Sequence, residues 1–206
     1  MTSWEILASE LRDWQTAGHK VELWWRDDDA VADTPALRQL LEIARVPLAL
    51  AVIPGRLDTS LAPLLQGRDD VKILQHGWRH QNHEPAGSKK SELGESRDLA
   101  ALGAELGDGR RILQTAFGTQ ALPVLTPPWN RIGGRAVAIL QSIGFIGLTR
   151  YLPRTAPQVH GVNQVNTHVD VIDWRGKNGP PGGFLGEDAC LSLFIGHLQA
   201  RRLGQV

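Results

Sequence analysis

Cysteine is almost missing from this chain. Cys190 stands alone among 206 residues, so no internal disulfide can brace the fold, and a cysteine-rich zinc module is excluded. A surplus of either charge is also missing. Lys+Arg and Asp+Glu both number 22, which gives a formal net charge of zero with His neutral. Proteins that grip polyanions need a basic surplus to displace counterions, so nucleic acid is not expected as a partner. No apolar run approaches the roughly 18–20 residues that cross a bilayer. The N-terminal stretch carries Glu5, Glu10, Arg12 and Asp13 and has no apolar leader core. The expectation is therefore a cytoplasmic protein without a membrane anchor. There is no internal repeat, low-complexity tract or linker, and the length suits one domain over residues 1–206. What the chain does have is 42% apolar residues, enough for a real core.

The pattern of those residues predicts alternating elements. Thr2 and Glu5 have capping-box spacing, and Trp4, Leu7, Leu11 and Trp14 recur at helical intervals before Gly18. Residues 21–26 read as a strand that runs into Asp27-Asp28-Asp29. Asp33 or Thr34 can cap a helix with Pro35 in its first turn. The unbroken apolar run 48–53 suits a parallel strand buried on both faces. A short helix at 59–65 precedes a strand at 71–74, which leads into His76. A polar loop follows at 81–90. Residues 91–117 read as a helix interrupted at Gly107 and Gly109. Strands are expected at 122–125 and 145–148, with a helix at 135–143 between them. A further strand is expected within 165–172, then a loop at 179–183 and a helix at 187–202. About six strands alternating with helices predict an α/β fold with a mostly parallel sheet, open or closed into a barrel.

Reactive side chains gather at the strand ends. Three expected strands end in Asp27–Asp29, His76–His80 and Pro127–Trp129, and a fourth in Asp173-Trp174. In parallel α/β folds the carboxyl ends of the strands share one face, and sites form there. Three adjacent carboxylates repel one another unless a cation or an arginine offsets them. Arg26 could offset them locally, leaving a plain solvated turn. A bound cation is the other solution. His76 and His80, at i and i+4, can turn both imidazoles to one side of a helical turn and share a metal, with His83 close by. Two histidines and one carboxylate make a set that zinc accepts while leaving a position for water. Iron(II) and other divalent ions accept it as well. Trp24, Trp25, Trp78, Trp129 and Trp174 flank these segments, either to stack on sugar rings or to pack in the core.

In this order the motifs resemble the NodB-type polysaccharide deacetylase family, carbohydrate esterase family 4. Its members look like distorted (β/α) barrels of about seven strands, and the resemblance covers residues 21 to about 175. The family's first motif, T-F-D-D-G, continues in variants as D-D-G-Y-x-D-N. Asp28-Asp29-Ala30-Val31-Ala32-Asp33-Thr34 matches it in register. The match implies Asp28 as catalytic base and Asp29 as a metal ligand, with Asp27 and Asp28 as the alternative register. The second motif, H-(S/T)-x-x-H, is matched by His76 and His80, which implies two more ligands. The third, R-x-P-(Y/W), is matched at Pro128 and Trp129, which implies a wall of the substrate groove. The family's arginine, which tunes the catalytic aspartate, is Thr126 here, with Arg131 a candidate substitute. Asp173-Trp174 resembles the fourth motif loosely. His197 fits the letters of the fifth, L-x-H, which supplies the family's general acid, but the helical periodicity of 187–202 puts it on a helix.

The chain therefore reads as a NodB-type (β/α) barrel of about six strands that lacks the last. The resemblance implies a divalent metal, zinc first, held by Asp29, His76 and His80. It implies removal of an acetyl or other N-acyl group from a small or polymeric carbohydrate, or a related non-peptide C–N substrate. Asp28 would act as the base on a metal-bound water. The alternative is a degenerate member that binds a glycan or protein partner without turnover, toward which Thr126 and the missing fifth motif point. A final strand edge left open would be sticky, so pairing into a homodimer is a third reading.

Overall fold

The computed structural model describes residues 1–176 and 180–205. In chain order the elements are α1 (Ser3–Thr16), β1 (Trp25–Ala30), α2 (Pro35–Ile43), β2 (Leu48–Val52), α3 (Leu61–Leu65), β3 (Val71–His76), α4 (Leu99–Phe117), β4 (Ala121–Thr126), α5 (Gly134–Ile139), β5 (Gly147–Leu148), β6 (Gln158–Val159), β7 (Val162–Gln164), β8 (Ile172–Asp173), β9 (Gly183–Phe184) and α6 (Glu187–Arg202). They fall into two compact units.

The larger unit, residues 23–150 and 156–165, holds a seven-stranded sheet in the order β1-β2-β3-β4-β5-β7-β6. Every pairing from β1 through to β7 is parallel. Only the closing β6–β7 hairpin is antiparallel. The sheet stays open, with β1 and β6 at its edges. Sequence patterning suggests about six strands, and the difference lies in residues 158–164. The hairpin there has strands of two and three residues, too short for an alternating pattern to register. The strand expected within 165–172 shrinks to Ile172–Asp173, and it pairs with β9 rather than joining this sheet.

Alternation of large and small apolar side chains on β2 explains the larger unit's packing. All five of its residues are buried. Leu48, Leu50 and Val52 meet Leu37 and Leu41 of α2, and each such leucine contributes about 1.5–3 kcal/mol by leaving water. Ala49 and Ala51 face the other way, with Leu74. On that second face Trp24, Ala49, Lys72, Leu122 and Ile146 line a cavity of about 360 Å³ that includes none of the candidate site residues. Thr34 caps α2 by accepting from Leu37 N–H, and Pro35 occupies the first turn, as the sequence predicts. A second core joins Leu102 and Leu106 of α4 to Leu125, Phe145 and Leu148.

Helix α4 runs unbroken through Gly107 and Gly109, against the interruption expected there. Gly109 answers a packing need. A Cβ at this position would overlap Gln75 Nε2 and lie 2.9 Å from Pro54 Cγ. The space it leaves lets Gln75 Nε2 donate to Leu106 O at 3.1 Å and to Gly77 O at 3.0 Å.

The smaller unit gathers residues 1–22, 151–155 and the described part of 166–206. The capping box on α1 is present: Glu5 N–H donates to Thr2 Oγ1 at 3.2 Å and Thr2 N–H to Glu5 Oε2 at 2.7 Å. Leu7 of α1 packs on Leu191, Ile195 and Leu198 of α6. Glu10 is buried, and its carboxylate takes two hydrogen bonds from Arg202, at 2.7 and 3.0 Å. Those bonds hold the Glu10 carboxyl below its usual range, with burial pulling the other way. Asp173 is buried at the end of β8, and Trp174 is exposed. The pair therefore belongs to this unit's two-stranded ribbon, not to a strand end of the large sheet. Of the loop expected at 179–183, Gly179 lies outside the described residues and Gly183 opens β9. His197 sits on α6, and its ring stacks on His168 at 3.7 Å between centroids. Among the described residues, no helix is long and apolar enough to cross a membrane.

Candidate metal centre

Strand β1 delivers the aspartates, and an irregularity decides where they point. Its register against β2 shifts between Asp27 and Ala30, and Asp29 takes a left-handed backbone, φ 71°. A bulge of this kind turns a side chain out of its strand alternation. Asp28 therefore stays with Arg26, while Asp29 swings toward the end of β3. There Asp29 Oδ1 lies 3.2 Å from His76 Nε2 and 3.3 Å from His80 Nε2. Among the described residues, these three form the one group of metal-type donors that converges, with ligand atoms within 4.8 Å of one another. His83 is exposed and outside the group.

The hydrogen bonding of His76 bears on what this group can hold. Its Nδ1 faces Thr126 O at 2.9 Å and its Nε2 faces the Asp29 carboxylate. A carbonyl on Nδ1 fixes the proton there and leaves the Nε2 lone pair free. An imidazole with acceptors on both sides needs a positive charge beyond its second nitrogen, either a proton or a cation. With His80 Nε2 aimed at the same oxygen, two neutral imidazoles and one carboxylate make a donor set that fits a divalent ion. Metal aside, the hydrogen bond from His76 holds the Asp29 carboxyl below its usual range. Burial opposes this, and the charges of His76, His80 and Arg56 add to it. The side-chain exposures are 2% for His76, 20% for His80 and 61% for Asp29, so the group opens outward on the Asp29 side.

His76 and His80 do not share a helical turn. His76 ends β3. His80 lies in the following loop with φ 57°. That loop wraps around the buried Glu92, whose carboxylate accepts from the backbone N–H groups of Trp78 at 2.9 Å, Arg79 at 2.8 Å and Gln81 at 3.2 Å. Trp129 packs its ring on His80 at 4.2 Å between centroids. Asp29, His80, Trp129 and Asn130 are four of the six non-glycine residues with positive φ among the described residues. Such backbone strain costs about 1–3 kcal/mol per residue and is held only where surrounding contacts enforce it.

The guanidinium beside Asp28 comes from Arg26. Its Nε is 2.9 Å from Asp28 Oδ1 and its Nη2 is 3.0 Å from Oδ2, with the arginine side chain only 5% exposed. Arg26 also donates to Asn130 Oδ1 at 2.8 Å and Thr149 Oγ1 at 3.1 Å. Arg131, the candidate from sequence, instead donates to Lys90 O at 2.9 Å. Asp27 lies outside the ligand group. Burial first, then the charges of Asp28 and Asp29, raise its carboxyl from 3.8 to about 6. Pro128 is buried and Trp129 half-buried beside the group, while Trp24 and Trp25 pack on the two faces of the sheet. Arg26 was visible in the sequence as local compensation for the acidic run. Glu92 carries no spacing signal at all.

No protein-family model matches the sequence, and no curated protein does. Solved structures do. A protein from Mycobacterium smegmatis assigned as a polysaccharide deacetylase superposes with a TM-score of 0.55 at 17% identity, over 83% of this chain. The chain has the polysaccharide deacetylase fold. It spans 59% of that protein's length. T48 deacetylase, solved with substrate, aligns at 14% identity over 87% of this chain and 85% of its own, with a TM-score of 0.48. The Xyl-CE4 domain of a multidomain xylanase, from the hindgut metagenome of Trinervitermes trinervoides, aligns at 13% identity over 88% and 85%, with a TM-score of 0.48. The deacetylase fold here has a seven-stranded open sheet, which accords with a distorted barrel.

Proposed function

We propose that this chain is a NodB-type, metal-dependent hydrolase that removes an acetyl or other N-acyl group from a carbohydrate or a related non-peptide C–N substrate. One observation carries the reading: Asp29, His76 and His80 converge through a bulge and strained loops, and the preceding residue, Asp28, is ion-paired to Arg26. Asp29, His76 and His80 would hold a divalent cation, zinc first. Such an ion supplies Lewis-acid polarisation of the acyl carbonyl and makes water more acidic. Asp28 takes the proton of the attacking water as general base, and as the acyl C–N bond breaks that proton passes to the leaving amine. Arg26 keeps that carboxylate in one orientation while the bulge turns its neighbour away. His76, tied to Thr126 O, presents Nε2 in a fixed direction. Pro128 and Trp129 wall one side, where an aromatic face suits a sugar ring.

The test combines metal analysis with a panel of N-acetylated sugars and chito-oligosaccharides. Wild type is expected to carry one divalent ion per chain through purification, and Asp29→Ala and His80→Ala to lose it on dialysis while keeping a weak residual affinity. Asp28→Asn should keep the ion and lose about 10²–10⁴ in rate. Metal retained by both ligand variants refutes the centre. Equal turnover by wild type and Asp28→Asn refutes the base, and no turnover by wild type across the panel leaves a protein that binds a glycan or partner without processing it.

A further inference from the structure

We infer that Glu92 is a positioning residue for the metal centre, acting through His80. The inference rests on the metal-centre reading above. Residues 77–81 carry His80 away from the end of β3, yet they form neither helix nor strand. A loop of five residues without its own hydrogen-bond ladder would leave an imidazole free to wander. Gln75 Nε2 donates to Gly77 O and Gly55 N–H to Trp78 O, and one carboxylate gathers the loop's own N–H groups. Glu92 is 1% exposed and accepts three backbone N–H bonds, with Trp78, Arg79 and Gln81 bracketing His80 on both sides.

Successive backbone N–H groups that point at one anion form a concave nest. In this loop the anion is the protein's own side chain. Charge-assisted bonds of this type are about twice as strong as neutral ones, and burial strengthens them further. Two features show the loop fitted to this carboxylate. Gly77 has φ 57°, and a Cβ there would overlap Glu92 Oε2. His80 itself takes the left-handed conformation, φ 57°, a region that few non-glycine residues occupy, although histidine enters it more readily than most. The neighbours of Glu92 are equally placed: Ser91 N–H donates to Asn82 Oδ1 at 2.9 Å, and His83 N–H to Ser91 O at 2.9 Å. Residues 77–83 are thus pinned along their length to residues 91–92, and His80 Nε2 arrives 3.3 Å from Asp29. Glu92 touches no ligand atom. Its effect on the centre passes through the backbone that bears His80.

A double-mutant cycle tests this. Zinc affinity is measured by chelator competition for wild type, Glu92→Gln, His80→Ala and the double variant, each checked for folding by its metal-free melting curve. Glutamine keeps the volume but turns an N–H₂ toward a ring of donors. Glu92→Gln is expected to weaken zinc binding about 10–100-fold, as loss of an outer-shell partner does. In the His80→Ala background the same substitution should change affinity less than about threefold, because the side chain it positions is gone. Gly77→Ala, which pushes on the same carboxylate from the other side, should reproduce the pattern if Glu92→Gln does not fold. An equal loss in both backgrounds, or no loss in wild type, overturns the positioning role while the centre stands. A wild type that takes up no zinc removes the centre and this inference together.

Discussion

Replacing Asp27 by asparagine should stabilise the metal-free protein at neutral pH and do little in acid. In the folded chain the Asp27 carboxyl keeps its proton up to about pH 6; its ordinary value is 3.8. Between those two values the native state holds a proton that the unfolded state has lost, so stability falls as pH rises through that window. At about 1.4 kcal/mol per pH unit, the gap sets an upper bound of about 3 kcal/mol. Partial solvent access trims the expected gain for Asp27→Asn to about 1–3 kcal/mol at pH 7. Asparagine is nearly the same size and cannot ionise, so packing should change little. Urea unfolding of chelator-treated wild type and variant, at intervals from pH 4 to pH 7, measures the difference. It should be near zero at the acid end and grow until about pH 6. Zinc should shrink it slightly, because burial does most of the lifting of Asp27 and a cation beside Asp29 relieves only the repulsion that adds to it. A difference that stays flat across the series, or that favours wild type at pH 7, defeats the electrostatic account of this strand end.

Three further substitutions probe separate links. Arg26→Met removes the guanidinium from Asp28 and Asn130; kcat should fall about 10²-fold, the scale of a misplaced reacting group, with KM little changed on the same substrate panel. Gly109→Ala forces a Cβ into Gln75 and Pro54 and should cost about 1–3 kcal/mol by overpacking, although alanine is the better helix former; chemical denaturation gives the sign directly. Leu198→Ala empties a position between α1 and α6, which should cost about 2–5 kcal/mol in the cooperative unit that melts with α1, read by hydrogen exchange.

Much of the fold was legible because local chemistry and tertiary need agree. The apolar run 48–53 could hardly be anything but a strand covered on both sides, and Thr34 with Pro35 opens a helix by its own capping chemistry. Thr2 and Glu5 satisfy each other without outside help. The errors occur where a residue answers to something distant. Gly109 looks like a helix breaker until Gln75 is seen filling the space beside it. The 158–164 hairpin is too short to show a period. At the candidate site, side-chain types and spacing marked His76, His80 and a run of three aspartates, and the motif resemblance picked Asp29 out of that run. The helical turn expected for the two histidines failed because the loop's shape is set by Glu92, twelve residues beyond His80, and no local pattern announces that contact. Arg131 was the wrong arginine for a similar reason. Arg26 reaches Asp28 simply because alternate residues of a strand share a face.

Trp14 donates to the carbonyl of Leu198, 184 positions further along the chain. The smaller unit is therefore stitched from segments made far apart in time during synthesis. At about 5–20 residues per second, the amphipathic segment bearing Leu7 waits roughly ten to forty seconds on the ribosome before Leu191, Ile195 and Leu198 emerge to cover it. During that interval its apolar stripe is available to chaperones and to other nascent chains, which makes co-translational handling, rather than final stability, the step at which this unit is most exposed to failure.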